Sequence, residues 1–311
     1  MKKTIMTLAG VALIISACSS ESDQESVDLS QNMAMTFSTQ SLTRASEKSA
    51  IDEGDMVGVF GYQDTLNWNQ WTDKTANLMF NQKMTADASA NLSYSPVRYW
   101  VPGYYYTFFA YYPFTATSSS ADDKSTPVVV TSTLMGQGED VIVFNTPGKS
   151  GDQIDFMVSD LITDQSYDGS TSAPVVSFTL HHLLASISFW LSLEQVNTSY
   201  SVTQIDSVVL SGIHTRGLYN VENGTWVLSD TSTVRTDSYT ASTDDNARFL
   251  LLPQEVPDST KLTLWATYSG GSTTRLKVSA YLKDLNISEW TQGISTLYTL
   301  KPEESNITYI E

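Results

Sequence analysis

The stretch ASISFWLSL, residues 185–193, alternates without a break. Ala185, Ile187, Phe189, Leu191 and Leu193 fall on one side, and Ser186, Ser188, Trp190 and Ser192 on the other. A period of two puts successive side chains on opposite faces of an extended chain, so this pattern predicts a half-buried strand. The same reading holds outward from it. Leu262, Leu264, Ala266 and Tyr268 oppose Lys261, Thr263, Trp265 and Thr267. Gly270 and Gly271 then turn the chain, and Leu276, Val278 and Ala280 alternate with Arg275, Lys277 and Ser279, which predicts a hairpin. Asn223-Gly224, a pair that tolerates positive φ, predicts a second hairpin with a type I′ turn between 218–221 and 226–228. Further strands are expected at 56–60, 104–112, 128–133, 141–144, 156–159, 175–180, 202–210 and 249–252, and Met33, Met35 and Phe37 alternate with Ala34, Thr36 and Ser38 as a first strand. No sustained 3.6-residue period separates these runs, so parallel α/β folds lack their crossover helices. The expected class is all-β.

The polar run TDQSYDGSTSA, residues 163–173, lies near the midpoint and reads as a loop between two domains, one over 33–170 and one over 171–311. The 311 residues carry a formal charge of −17. No basic stripe exists to displace counterions from phosphates, which excludes nucleic acid as a partner.

Chemistry finds little to work with. The three histidines are His181, His182 and His214. The first two are adjacent, so in a strand they point to opposite faces and cannot hold one metal ion together. Gly148-Lys149-Ser150 has the ending of a phosphate loop, but Val143 occupies the place of its first glycine and no helical run follows. No G-x-S-x-G elbow, EF-hand loop or dinucleotide fingerprint occurs. The expectation is no catalytic residue, no metal and no cofactor. The aromatic run from Tyr99 to Tyr112 offers either a strand buried on both faces or a platform for stacking sugars; its alternation favours the core.

The N-terminus sets the expected location. Lys2 and Lys3 precede an apolar run from Ile5 to Ile15, too short to span a bilayer, and Ile15-Ser16-Ala17-Cys18 has the form of a lipobox. Cys18 is the only cysteine, so no intramolecular disulfide is possible. The reading is a signal peptide over 1–17, lipid attachment at Cys18, and a flexible acidic tether over 18–32 that lacks the apolar residues to fold. Loss of Lys2 and Lys3 with the signal takes the charge from −17 to −19. Acidic tethers of this kind resemble surface-export signals of some Gram-negative anaerobes, which implies the outer membrane and cell surface.

Six segments in order carry a family resemblance: DEGDMVGVF (52–60), YWVPGYYYTFFAYYPF (99–114), DFMVSD (155–160), FTLHHLLASISF (178–189), FLLLPQ (249–254) and WTQGISTLYTL (290–300). Together they resemble the fimbrillin-like lipoproteins, the type V pilus subunits and related surface adhesins, with the departure that Val101 separates Trp100 from Pro102. The resemblance implies two tandem transthyretin-like β-sandwich domains and no catalytic residues. It implies a lipid-anchored fimbrial subunit or adhesin of the fimbrium, assembled with other fimbrial subunits by donor strand exchange. It also implies maturation after an arginine, and Arg44, the first basic residue beyond the signal, is the candidate cleavage point. The alternative function is a monomeric glycan-binding lipoprotein that meets host or bacterial surface ligands.

One outcome follows from the lipobox alone. Labelled palmitate enters the wild-type chain and is absent from Cys18→Ser; equal labelling of both would refute lipidation at this position.

Overall fold

The computed structural model describes residues 33–41, 50–72, 74–135, 140–170, 172–192, 201–240, 246–269, 274–302 and 307–309. The expected signal, Cys18, the tether, Arg44 and the Gly270-Gly271 turn lie outside these residues. Among the described residues the regular structure is strand, with 3-10 turns at Trp68–Gln70, Ser150–Asp152 and Leu282–Leu285. The all-β expectation holds.

In chain order the first strands are β1 (Thr36–Ser41), β2 (Met56–Asp64), β3 (Met79–Ala86), β4 (Asn91–Ser93), β5 (Tyr105–Tyr112), β6 (Val128–Val129), β7 (Val141–Asn145), β8 (Met157–Ser159), β9 (Ile162–Ser166) and β10 (Val175–His182). The sheet order is β2-β3-β4-β1-β10-β8-β5-β9, and β2 also pairs with β5, so the ladder closes on itself. Closure leaves the inward side chains one shared interior. Phe37, Val57, Met84, Trp100, Phe108 and Phe178 fill it.

The chain continues as β11 (Ala185–Leu191), β12 (Ser201–Asn220), β13 (Thr225–Arg235), β14 (Tyr239–Thr240), β15 (Asn246–Leu251), β16 (Gln254–Glu255), β17 (Lys261–Ser269), β18 (Thr274–Tyr281), β19 (Glu289–Trp290), β20 (Ser295–Pro302) and β21 (Ile307–Tyr309). One sheet runs β15-β11-β20-β21, and another β18-β17-β12-β7-β6, with β13 and β14 also on β12. Ile187, Phe189 and Phe249 of the first share a core with Val208, Leu264 and Val278 of the second. From Ala185 to Leu191 the alternation therefore lines a packed interior as expected; Leu193 lies outside the described residues. Its serine face is covered too: Ser186 and Ser188 are buried, because β11 lies inside its sheet between β15 and β20.

Sheet membership does not follow the division at residues 170 and 171. β10 lies past it yet belongs to the first sheet, pairing with β1 and β8. β6 and β7 lie before it and join the sheet of the second half, where β7 pairs with β12 from Arg216 to Asn220. Part of the expected loop at 163–173 is β9. Alternation identifies a strand and its buried face but carries no label for the sheet it enters.

The 261–281 hairpin forms in the expected register, with Leu264 opposite Val278. The second hairpin forms with a different turn. Tyr219 pairs with Trp226 and Asn220 with Thr225, so four residues, Val221 to Gly224, make the loop. Asn220 explains the difference: its Oδ1 accepts from the main-chain N–H groups of Glu222 (3.0 Å) and Asn223 (3.1 Å), and its carbonyl accepts from Gly224 N–H (3.0 Å). Gly224 alone takes positive φ, 68°, whereas a type I′ turn needs two such residues.

A third core joins the halves. Phe60, Phe109 and Tyr111 project from the outer face of the first sheet onto Leu184, Tyr219 and Leu252. β5 is thus buried on both sides, Tyr106 and Phe108 inward and Phe109 and Tyr111 outward. At this junction Tyr62 donates to Asp140, and burial, with that carboxylate beside it, holds its phenol far above the usual range. Burial likewise pushes up the Tyr111 phenol, which donates to Asn81 Oδ1 at 2.7 Å.

Tyr111 has room because of Gly58 in β2. A Cβ there would stand 2.1 Å from Tyr111 Cε1, and the ring is pinned by its hydroxyl. Gly58→Ala is expected to cost about 1–3 kcal/mol, the usual range for overpacking a core. A urea midpoint equal to wild type would refute this packing.

Candidate functional site

The strand next to the candidate cleavage point is β1. It lies inside the first sheet, between β4 and β10. Its pairing with β10 is parallel and runs from Thr36–Val175 to Ser41–Leu180; its antiparallel pairing with β4 sets Phe37 against Leu92. Before the strand, Met35 N–H donates to Arg98 O (2.8 Å) and Trp100 N–H to Met33 O (2.9 Å). Beyond β4's reach, Thr39 N–H donates to Ala90 O (2.9 Å). Both edges of the segment are therefore occupied.

Met35, Phe37 and Thr39 are buried, whereas Ala34 and Thr36 are exposed. This is the alternation expected at 33–38. Phe37 is the anchor. Its ring stacks on Phe178 at 5.9 Å between centroids and meets Phe108 and Tyr94 edge-on at 5.4 and 5.5 Å. Tyr94 also donates its hydroxyl to Met35 O at 3.1 Å, fixing the entry of the strand. Phe178 was legible as part of an apolar alternation, but its role as β1's partner was not: the two residues are remote in sequence and parallel neighbours leave no turn signal.

The other residues singled out from the sequence are scattered. Arg44 follows β1 in the segment 42–49, and Cys18 precedes it; both lie outside the described residues. His181 and His182 do take opposite sides. His181 Nε2 lies 2.9 Å from the exposed Asp160, and His182 Nδ1 lies 3.0 Å from the buried Asp155 Oδ1. His214 sits elsewhere, its N–H donating to Gln254 Oε1 at 2.8 Å. Among the described residues no cluster of three or more His, Cys, Asp or Glu could hold a metal ion. Gly148-Lys149-Ser150 enters a single 3-10 turn after β7, and Val143 is a buried β7 residue. That is not the strand-loop-helix that cradles phosphates.

The aromatic run is core. Trp100, Tyr106, Phe108, Phe109 and Tyr111 are fully buried, so their faces are closed to a sugar ring. Tyr99 is 49% exposed, and Tyr104, Tyr105 and Tyr112 are half-buried.

The chain thus presents a closed β-ladder with β1 among its internal strands, two further sheets that share a core behind it, and side-chain clusters that serve packing. The sequence profile described as fimbrillin-like matches residues 43–311, and the chain belongs to that family. It is a structural or adhesion protein and not an enzyme. No curated protein matches it.

Solved structures share the fold. A fimbrial protein from Bacteroides vulgatus aligns with a TM-score of 0.57 at 17% identity, over 88% of this chain and 97% of that one. Two candidate cell adhesion proteins align similarly. The one from Bacteroides ovatus gives 0.55 at 15% identity, and the one from Bacteroides uniformis 0.54 at 18%, each over 90% of this chain and 96% of the other.

The anchoring role of Phe37 has a measurable size. Phe37→Ala is expected to lower the unfolding free energy by about 3–5 kcal/mol, as for other buried phenylalanines. Ser38→Ala, on the outward face, should change it by under about 0.5 kcal/mol. Equal effects in chemical denaturation would mean β1 is not held by its inward side.

Proposed function

We propose that this protein is a fimbrial subunit or surface adhesin, made as a lipid-anchored precursor and assembled by strand exchange after proteolytic loss of β1. The observation that carries the reading is the position of β1. It is an internal strand, yet it is joined to the remainder only through 42–49, the segment that contains Arg44. Cleavage after Arg44 would free β1 together with the lipidated Cys18. The vacated place would expose backbone groups of β4 and β10 and the apolar row Val176, Phe178 and Leu180. Such an open edge is a strong template for another chain's strand.

A donor must alternate as β1 does and lie where it can leave its own sheet. β21 meets the second condition, at the end of the order β15-β11-β20-β21. It pairs only with β20 in that sheet, Ile307 opposite Pro302. Ile310, the apolar residue that follows β21, lies outside the described residues. A charge of −16 on residues 45–311 opposes association, but beyond about 8 Å it is screened at physiological salt. Burial of a donated apolar row, at roughly 1.5–3 kcal/mol per large side chain, outweighs what remains.

In this reading the partners are other fimbrial subunits, the location is the outer membrane and cell surface, and the chain is organised as two β units, with β10 counted in the first. Against the alternative of a glycan-binding monomer that stacks sugars on the aromatic run stands the burial of its central rings, Trp100, Tyr106, Phe108, Phe109 and Tyr111.

N-terminal sequencing of protein shed from cells tests the mechanism. A mature start at Ala45 that disappears in Arg44→Ala, with loss of oligomers on unboiled gels, is the expected result. Polymers built of intact lipidated chains would refute it.

A further inference from the structure

A cleft of about 650 Å³ lies where the two halves meet, and a second of about 760 Å³ opens on the face of β7, β12 and β13. The second holds groups that packing does not account for. Its floor is Arg216, in the middle of β12 and only 9% exposed. Nη1 donates to Asn145 Oδ1 at 3.2 Å, and Nη2 to Ala121 O at 3.0 Å and Asp122 Oδ1 at 3.4 Å. A guanidinium has five N–H donors. Nε–H and one Nη1–H are left without a protein acceptor among the described residues. The only carboxylate beside it, Asp122, has a side chain that is 89% exposed, so the charge is buried without a buried counter-charge. Buried charges of this kind are costly unless fully paired.

The rim carries acceptors. Asp152 stands in the 3-10 turn after β7, and Asp230 in β13 adopts a left-handed backbone, φ 48°, with its carboxylate 3.2 Å from Lys124. An aspartate held in that region costs energy that the surrounding structure must supply, and such residues concentrate where ligands bind. Ser232 adds a hydroxyl that donates or accepts as required, and Thr126 Oγ1, which donates to Val128 O at 2.7 Å, is left to accept. Thr146, also on the wall, has a buried Oγ1 with no hydrogen-bond partner.

From this arrangement we infer that the cleft binds a neutral saccharide. Each sugar hydroxyl both donates and accepts, so adjacent hydroxyls are matched by fixed donors and fixed carboxylate acceptors facing one space. An anion fits less well, because Asp152 and Asp230 border the cleft and the whole chain is strongly acidic. The volume lies within the range of small-ligand sites and takes a short oligosaccharide. The site is independent of strand exchange: it uses no residue of β1, β4 or β10.

The competing account is that Arg216 only ties down the 121–126 loop, through Ala121 O and Asp122. Titration of the full chain with a panel of neutral gluco-, manno-, galacto- and xylo-trisaccharides separates the two, with glucuronate and sulfate as anionic probes. At least one trisaccharide should bind saturably. Ser232→Trp, at an exposed rim position, should abolish that binding while leaving the unfolding midpoint unchanged. Arg216→Met should weaken it about tenfold to hundredfold, the worth of a hydrogen bond to a charged group. The inference is overturned if no trisaccharide binds, if glucuronate or sulfate binds more tightly than every neutral sugar, or if Ser232→Trp leaves trisaccharide binding intact.

Discussion

The parallel ladder between β1 and β10 joins residues that are 139 positions apart at Ser38 and Ser177. The first sheet closes only through this contact: without β1, β4 and β10 have no neighbour to bridge them. Contacts of such separation carry their loop-closure entropy before any side chain is rewarded, so they form late relative to hairpins. The reward is concentrated in one ring. Phe37 lies on Phe178 and against Phe108, tying β1 to both sides of the interior. A strand held by a few inward side chains is chemically equivalent to any other strand with the same alternation. Nothing in a ladder of main-chain hydrogen bonds identifies the molecule that supplies it.

The strands themselves were readable. The alternations at 33–38, 185–191 and 261–266 each line the interior they predict, since a period of two has one structural meaning over such lengths. Chain organisation was not readable in the same way. Val175 to His182 looks like an opening strand of whatever follows the polar run at 163–173, but it belongs to the sheet before it. Asn223-Gly224 carries a strong local signal for a two-residue turn, and Asn220, three residues upstream, captures the main chain into a wider one. The cleft on β12 left no sequence signal. Its groups come from four separated segments, and each residue alone reads as an ordinary polar surface position.

Burial on both faces distinguishes the centre of this fold from a pair of independent sandwiches. β2 and β5 send Val57, Val59, Tyr106 and Phe108 into the ring and Phe60, Tyr62, Phe109 and Tyr111 toward the second half. The rings facing outward would form a large apolar patch if the second half were absent, and patches of that size are seldom left open on a monomer. The two halves therefore depend on each other for solubility as well as for position. The Tyr62–Asp140 hydrogen bond gives this apolar junction a polar contact with a defined geometry.

β12 is 20 residues long and pairs with β17 through its first part and with β7 through its last. At roughly 3.3 Å per residue it extends on the order of 60 Å. It therefore holds β17 and β7 together within one sheet, and Tyr219 near its end reaches the core shared with the first half. A tensile load along this strand, drawing β17 from β7, would act in shear, against many inter-strand hydrogen bonds at once, instead of peeling them one after another. For a structural or adhesion protein, resistance to that kind of load matters as much as equilibrium stability.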